Sequence, residues 1–243
     1  MNMYFTNILI DYDNMVSTPE YIESFIDHLI QRLFDDGDLS FCDNFNIRLY
    51  GGWDELADAE TGIPTSTLSN RAQHLSAILQ RQFPKQIQGK RITVELSRSL
   101  AAHPAVPFLF TFRKRNPLSR IVICKEEDCC CESAKPSIQY IRKLHKKNRC
   151  PECQTSATSI VWSTEQKLVD VMLATDMHHY ATHEPDASLV VVSDDDDFIP
   201  AMFYLGFNNK PVLHVYKRPG KCYRIYQLIA PRHSYRSISF MRG

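Results

Sequence analysis

This sequence of 243 residues lacks a long apolar run and a net charge. Its apolar stretches are no longer than a strand, and no basic start precedes one, so we expect neither a signal peptide nor a membrane span. Lysine and arginine total 28, as do aspartate and glutamate, which excludes a uniformly basic surface and a wholly acidic disordered chain. These absences predict a cytoplasmic globular protein without a membrane partner.

The balanced total conceals four blocks of opposite charge. Residues 11–60 contain 13 acidic and two basic side chains, and residues 183–209 contain six acidic and no basic ones. Residues 113–149 contain 11 basic and four acidic side chains, and residues 210–243 contain eight basic and no acidic ones. A cation site beside an anion-binding surface would explain this pattern, and mutual neutralisation through surface ion pairs is the alternative.

Apolar periodicity predicts alternating strands and helices. Buried strands are expected at 4–10, 45–50, 91–96, 188–193 and 211–216. Helices are expected at 19–35, 68–83, 165–181, 197–205 and 222–230. This alternation predicts an α/β fold in which a parallel sheet is flanked by helices. We assign residues 1–112 and 154–243 to this main domain.

Residues 113–153 break the alternation and are assigned to a small insertion. Six of the eight cysteines lie between Cys124 and Cys153, and Cys150 forms a CxxC pair with Cys153. In a reducing compartment this favours metal binding over disulfides, and we predict a structural zinc ion held by Cys124, Cys129, Cys150 and Cys153. The alternatives for the second ligand are Cys130, Cys131 and His145. Free buried thiols and a redox pair are the other interpretations of the cluster.

Acidic residues follow two of the predicted strands. Asp11 and Asp13 come after the first strand, and Asp194–Asp197 follow the strand at 188–193. The carboxyl ends of the strands are where open α/β sheets bind ligands. Four consecutive aspartates repel one another unless cations or helix N-termini compensate. We therefore expect a divalent metal ion here, with a solvated, helix-capping turn as the alternative.

The helix predicted at 165–181 carries a further acidic position. Asp170 interrupts an apolar stretch, and an Asp among core residues needs a partner. Lys167 lies three positions earlier and so shares its face. Asp176 lies about 120° further round the helix, so both carboxylates cannot point at one ion. The sequence therefore favours Asp170 as the ligand.

Three segments, ILIDYDN, KLVDVMLATDM and LVVVSDDDDFIPAM, resemble the NYN domain of the PIN-like nuclease superfamily. The family pattern is an Asp with Asn three positions later, a K-x-V-D helix, and a strand end of the form S-x-D-x-D-F. In this chain the pattern falls on Asp11, Asn14, Lys167, Asp170, Ser193, Asp195, Asp197 and Phe198. The chain departs from the family at Leu168 and Asp194, where glycine is usual, and at Asp196, where a small residue is common.

The resemblance implies a PIN-like (Rossmannoid) sheet and metal-dependent hydrolysis of phosphodiester bonds. It implies that Mg²⁺ or Mn²⁺ is held by Asp11, Asp170, Asp195 and Asp197. Asn14 would orient a water molecule or a phosphate oxygen, and Lys167 and Ser193 would assist at the substrate. The implied activity is that of an endoribonuclease acting on single-stranded RNA, with DNA as the other substrate.

A metal ion alone does not bind the length of a nucleic-acid backbone, and basic residues of the insertion would do so. The strand-binding side chains that we predict are Arg113, Lys114, Arg115, Lys146 and Lys147. Binding through such residues weakens steeply as salt rises.

Two other functions stay open at this stage. A phosphatase of the haloacid-dehalogenase type would use Asp11 as a nucleophile, because Asp11-x-Asp13, Lys167 and a late acidic strand end occur in the required order. Met15, where Thr or Val is usual, argues against it, as does the absence of Ser or Thr after the second strand. A catalytically inert RNA-binding module is the second alternative. Self-association and a protein partner are left undecided by the sequence.

Overall fold

In the computed structural model the chain divides into two compact units, Met1–Thr111 with Lys167–Gly243, and Phe112–Gln166. The structure describes residues 4–16, 18–36, 39, 41–57, 65–108, 111–115, 122–123, 146, 161–166, 168–218 and 235–240. Lys167, the helix predicted at 222–230 and the cysteines assigned to zinc lie outside these residues.

The secondary structure alternates between strands and helices, as expected. The strands are β1 (Phe5–Asp11), β2 (Asn44–Tyr50), β3 (Asp54–Ala57), β4 (Thr65–Leu68), β5 (Lys85–Ile87), β6 (Lys90–Leu96), β7 (Phe112–Arg115), β8 (Val122–Ile123), β9 (Val161–Gln166), β10 (Ser188–Val192), β11 (Val212–Tyr216) and β12 (Tyr235–Ser239). The α-helices are α1 (Tyr12–Met15), α2 (Ile22–Asp36), α3 (Asn70–Gln82), α4 (Val169–His183) and α5 (Ile199–Phe207). Short 3₁₀ turns at Pro19–Tyr21 and Asp196–Phe198 precede α2 and α5.

A sheet of seven strands forms the centre of the first unit, in the order β12-β11-β10-β1-β2-β6-β5. Adjacent strands of this sheet are parallel except for β5, which runs antiparallel to β6. The prediction of an α/β fold with a parallel sheet is therefore confirmed. The direction of winding reverses between β1 and β10, and ligands bind at such a reversal outside the carboxyl ends of the strands.

Helices cover both faces of this sheet. α2 and α3 pack on the face that contains Ile8 and Ile47, and α4 and α5 pack on the face that contains Leu9 and Val191. Side chains alternate between the two faces of a strand, so a strand buried on both sides is apolar at consecutive positions. This explains why the central strands have the sequences NILI and LVVV.

The helix predicted at 165–181 begins four residues later than expected. β9 continues through Gln166, which pairs with Phe112 of β7, and α4 starts only at Val169. Leu168 lies between them with φ 67°, in the left-handed region that favours glycine. Strand pairing and this backbone turn therefore override the helical periodicity.

The second unit contains three described strands, in which β9 pairs antiparallel with β7 and with β8. The insertion predicted at 113–153 falls within this unit, and its zinc site stays a prediction. Among the described residues of the whole chain, no helix is long and apolar enough to span a membrane.

Candidate metal centre

The centre is built where β1 and β10 end side by side. Ile10 of β1 pairs with Val192 of β10, so the residues that follow them, Asp11 and Ser193, are neighbours. Both are buried, and Ser193 Oγ donates a hydrogen bond of 2.7 Å to Asp11 Oδ2. Parallel pairing of two apolar strands thus brings a hydroxyl and a carboxylate together from positions 182 residues apart.

Asp11 has one oxygen that is held and one that is not. Asn14 Nδ2 donates a hydrogen bond of 2.6 Å to the same Oδ2, because α1 turns the chain back toward the strand end. The other oxygen, Oδ1, is buried and has no hydrogen-bond partner among the residues that the structure describes. A buried carboxylate oxygen without a partner is costly in a folded protein, and binding a cation is one way to compensate.

The surroundings of Asp11 disfavour its negative charge. Burial raises the pKa of its carboxyl to about 6, and hydrogen bonds from Ser193 and Asn14 only partly offset this. The negative charges of Asp170 and Asp13 raise the pKa further. Desolvation and nearby carboxylates are the two causes that a bound cation reverses.

Asp170 lies in the first turn of α4 and, with Asp11, Asp13, Asp195 and Asp197, forms a cluster of interacting carboxylates. As a residue it is solvent-exposed, yet partial burial of its carboxyl raises the pKa. The charges of Asp195, Asp197 and Asp13 raise the pKa of Asp170 further. Asp170 therefore faces the acidic strand ends rather than the core, which corrects the expectation that it lies among core residues.

The Asp on α4 that needs partners in the core is Asp176. It is fully buried, its Oδ2 accepts a 2.7 Å hydrogen bond from the Tyr50 hydroxyl, and its Oδ1 accepts one of 2.8 Å from the Ala101 N–H. Arg48 Nη2 lies 3.7 Å from Oδ2. These contacts tie α4 to the end of β2 and to the chain after β6.

Ser193 also connects Asp11 to the acidic loop after β10. Its hydroxyl oxygen accepts a hydrogen bond of 3.0 Å from the Asp195 N–H. Asp195 Oδ1 in turn accepts one of 2.9 Å from the Asp197 N–H and caps the 3₁₀ turn. Phe198, at the end of that turn, is buried and anchors the loop.

Asp194 has a separate structural role. Its Oδ1 accepts hydrogen bonds from the Lys217 N–H at 2.6 Å and the Arg218 N–H at 3.0 Å. The carboxylate at this position, where the family usually has glycine, therefore holds the chain that follows β11. Among the described residues, positive φ is found at Gln88, Gly89, Leu168 and Asn209, so Asp194 carries no such strain.

Asp13 is a member of the cluster that the proposed ligand set leaves out. Its Oδ2 accepts a hydrogen bond of 3.1 Å from the Gly52 N–H, and its Oδ1 lies 2.5 Å from Arg71 Nη2. The Arg71 guanidinium lies 5.6 Å from the ring centroid of Tyr12 and 5.4 Å from that of Trp53. In the sequence, Asp13 could be identified by its position two residues after the end of β1. Nothing in the sequence indicated Arg71, which lies on α3.

The structure thus brings some of the predicted residues into contact and others only into electrostatic range. Asp11, Asn14 and Ser193 are joined by hydrogen bonds, and Asp195 joins them through its backbone N–H. Asp170 and Asp197 interact with the cluster through their charges. Within the described part of the chain, no three His, Cys, Asp or Glu side chains are placed to hold one metal ion together.

The predicted strand-binding residues are only partly described. Lys146 is exposed, and Arg113, Lys114 and Arg115 form most of β7, although their side chains are outside the description. Lys147 and Lys167 lie outside the described residues altogether.

Comparisons of this chain with protein-family models, with curated proteins and with solved structures find no match. The likeness to the NYN domain therefore depends on the three sequence segments, and the chemistry is argued from the residues at the ends of β1 and β10.

Proposed function

We propose that this protein is a metal-dependent nuclease of the PIN-like type that hydrolyses phosphodiester bonds in single-stranded RNA. The observation that carries the proposal is the environment of Asp11. This buried carboxylate lies where the winding of the sheet reverses. Ser193 and Asn14 hold one of its oxygens, and the other has no hydrogen-bond partner within the described part of the chain. An oriented, partly unsatisfied carboxylate among other carboxylates is better explained by cation binding than by a purely structural role.

The oxygen donors of this set suit Mg²⁺ or Mn²⁺ in their chemistry, because both ions take oxygen ligands and keep several waters. Since no three of the described side chains are placed around one point, the proposal requires the carboxylates to draw together when the ion binds. Asp11 would hold the ion, and Asp170, Asp195 and Asp197 would complete its carboxylate shell. Such an ion supplies charge neutralisation at the phosphate and lowers the pKa of a bound water.

The chain's own residues have distinct tasks in this proposal. Ser193 fixes the rotamer of Asp11 and, through the Asp195 N–H, the position of the acidic loop. Asn14 is exposed and has amide capacity beyond its bond to Asp11, so it can orient a water molecule or a phosphate oxygen. Arg71 holds Asp13 in place beside Asp11. Lys167 and the basic residues of the second unit remain the predicted contacts for the RNA backbone.

The contacts of Asp13 favour the nuclease over the phosphatase. In the phosphatase interpretation Asp13 is the second carboxylate of the Asp11-x-Asp13 motif. Here Asp13 is engaged by the Gly52 N–H on one oxygen and by Arg71 on the other. A carboxylate whose two oxygens are both engaged by donors is not placed to give a proton to a leaving group.

The test is cleavage of end-labelled single-stranded RNA with and without Mn²⁺. Wild type and Asp195→Asn are compared with Asp186→Asn, an exposed aspartate at the other end of β10. The proposal predicts Mn²⁺-dependent cleavage by wild type and Asp186→Asn and a loss of at least 100-fold in Asp195→Asn, on the order expected for a catalytic group.

Three other outcomes contradict the proposal. Metal-independent binding without cleavage supports the inert module. A phosphoaspartate trapped at Asp11 with a phosphomonoester substrate supports the phosphatase. Equal cleavage by Asp195→Asn and Asp186→Asn indicates a contaminating nuclease.

A further inference from the structure

An aromatic pocket of about 250 Å³ lies close to the candidate metal centre. We define it by six of its lining residues, Met15, Tyr21, Phe25, His28, Lys217 and Phe240. The residues come from the end of α1, the 3₁₀ turn before α2, the first half of α2 and the chain segments after β11 and β12. Its volume lies below the roughly 300–1,000 Å³ of sites for drug-sized ligands, so it suits a single flat ring system.

Two connections join the pocket to the neighbourhood of the metal centre. Met15 directly follows Asn14, which donates its hydrogen bond to Asp11. On the other side, the Lys217 N–H donates to Asp194 in the acidic loop, and Lys217 Nζ donates to the Met15 carbonyl. Through these connections, a nucleic-acid strand whose phosphate reaches the carboxylates would place a neighbouring nucleotide near the pocket.

The chemistry of the lining combines aromatic rings with one cation. Phe25 and Phe240 stack with their centroids 4.6 Å apart, and Lys217 Nζ lies 5.4 Å and 5.9 Å from those centroids. Tyr21 is 62% exposed at the rim, and His28 is exposed beside it. Phe25 and Phe240 are each only 8% exposed, so the ring that a base can reach is that of Tyr21 at the rim. An exposed aromatic ring on a surface that carries a positive charge is typical of sites on which the bases of single-stranded nucleic acids stack.

We infer that the aromatic pocket binds one base of the RNA strand, that of the nucleotide next to the scissile phosphate. This inference rests on the proposed nuclease function and adds a subsite to it. Stacking needs no particular base, so the pocket would contribute affinity and position the strand with little sequence preference. The lysine suits a strand whose phosphates lie close by, which favours a nucleotide over an apolar peptide side chain.

The experiment measures binding of a fluorescent single-stranded RNA of eight nucleotides in the Asp195→Asn background, which keeps the RNA intact. Tyr21→Ala removes the rim ring, and Tyr21→Phe retains it. Tyr204→Ala is the matched control, because Tyr204 is 58% exposed on α5, which covers the other face of the sheet. We expect Tyr21→Ala to weaken binding by about tenfold, and the other two variants by less than twofold.

A second RNA series places one abasic nucleotide at successive positions. One position is expected to weaken binding by about tenfold with Tyr21 present and to have little further effect in Tyr21→Ala, because both changes remove the same contact. Equal affinities for Tyr21→Ala and Tyr204→Ala, or abasic effects independent of Tyr21, overturn the inference.

The outcomes separate this inference from the proposed function. Mn²⁺-dependent cleavage without any dependence on Tyr21 overturns the pocket alone. Binding that depends on Tyr21 in a protein that never cleaves supports the pocket and contradicts the nuclease. Absence of both binding and cleavage overturns both.

Discussion

Ser193 Oγ donates a hydrogen bond of 2.7 Å to Asp11 Oδ2 and itself accepts one from the Asp195 N–H. One hydroxyl therefore joins the carboxylate after β1 to the acidic loop after β10. Among the described residues, Asn14 donates the other side-chain hydrogen bond to Asp11, so the geometry of the proposed metal ligand depends on two short polar side chains.

Ser193→Ala should weaken Mn²⁺ binding by about 10- to 100-fold, the range found when a partner of a metal ligand is removed. The change leaves Asp11 held by Asn14 alone and frees the acidic loop. Calorimetric titration with Mn²⁺ measures the effect. Ser97→Ala is the control, since this buried serine accepts a hydrogen bond from Arg48 instead. Similar affinities for the two variants would show that Ser193 does not position the ligand.

Asp11→Asn should stabilise the metal-free protein at neutral pH relative to wild type. The folded protein raises the pKa of Asp11 from 3.8 to about 6. A raised folded-state pKa contributes stability below about pH 4 that is lost as pH rises through 6, on the order of 3 kcal/mol. The amide has no such titration. The free energy of unfolding is measured with urea in EDTA at pH 4.5 and 7.5. The value for Asp11→Asn minus that for wild type should be larger at pH 7.5, and a difference that is constant with pH contradicts the assigned environment.

Leu168→Gly should raise the free energy of unfolding by roughly 0.5–1 kcal/mol. A left-handed backbone costs a residue with a Cβ about 1–2 kcal/mol, which glycine avoids. The greater freedom of glycine in the unfolded chain offsets part of this stabilisation. Leu168 is 48% exposed, so little apolar burial is lost. Leu168→Ala keeps the strain and is the control. If alanine stabilises as much as glycine, backbone strain at this position is not the cause.

Asp194→Ala and Asp195→Asn should separate folding from activity. Asp194→Ala removes the acceptor for the Lys217 and Arg218 N–H groups and should cost roughly 1–3 kcal/mol of stability, with cleavage retained in the folded fraction. Asn caps a helix as well as Asp does, so Asp195→Asn should retain stability and lose cleavage. Thermal unfolding and Mn²⁺-dependent cleavage are measured together, and the reverse pattern would exchange the two roles.

The purified protein should contain about one zinc ion per chain, since four thiolates form a single closed site. Elemental analysis of wild type is compared with Cys150→Ser and with Cys42→Ser, which alters a buried cysteine that accepts a hydrogen bond from Thr6. Zinc should be lost only in Cys150→Ser. Zinc-free wild type, or equal loss in both variants, contradicts the assigned site.

The strand ends could be predicted from the sequence because they depend on short-range patterns. The runs NILI and LVVV identify two strands buried on both faces, and parallel pairing then places Asp11 beside Ser193. The pairing of Asp13 with Arg71 could not be predicted, since it joins a strand end to a helix 58 positions later. No local periodicity reports such a contact.

The acidic residues of α4 and of the loop were harder to assign. Asp170 and Asp176 both interrupt apolar residues, and their roles depend on where the helix begins, which the left-handed turn at Leu168 sets. Asp194 and Asp195 are adjacent and chemically identical in sequence. Their roles differ because one meets the chain after β11 and the other meets Ser193.

The most direct measurement is an anomalous difference map from crystals soaked in Mn²⁺, collected for wild type and Asp11→Asn. The account predicts one strong peak at roughly 2.1–2.2 Å from Asp11 Oδ1, with at least one of Asp170, Asp195 and Asp197 also bound, and no peak in the variant. Saturating Mn²⁺ without density at the carboxyl ends of β1 and β10, or a peak that persists in Asp11→Asn, would contradict it.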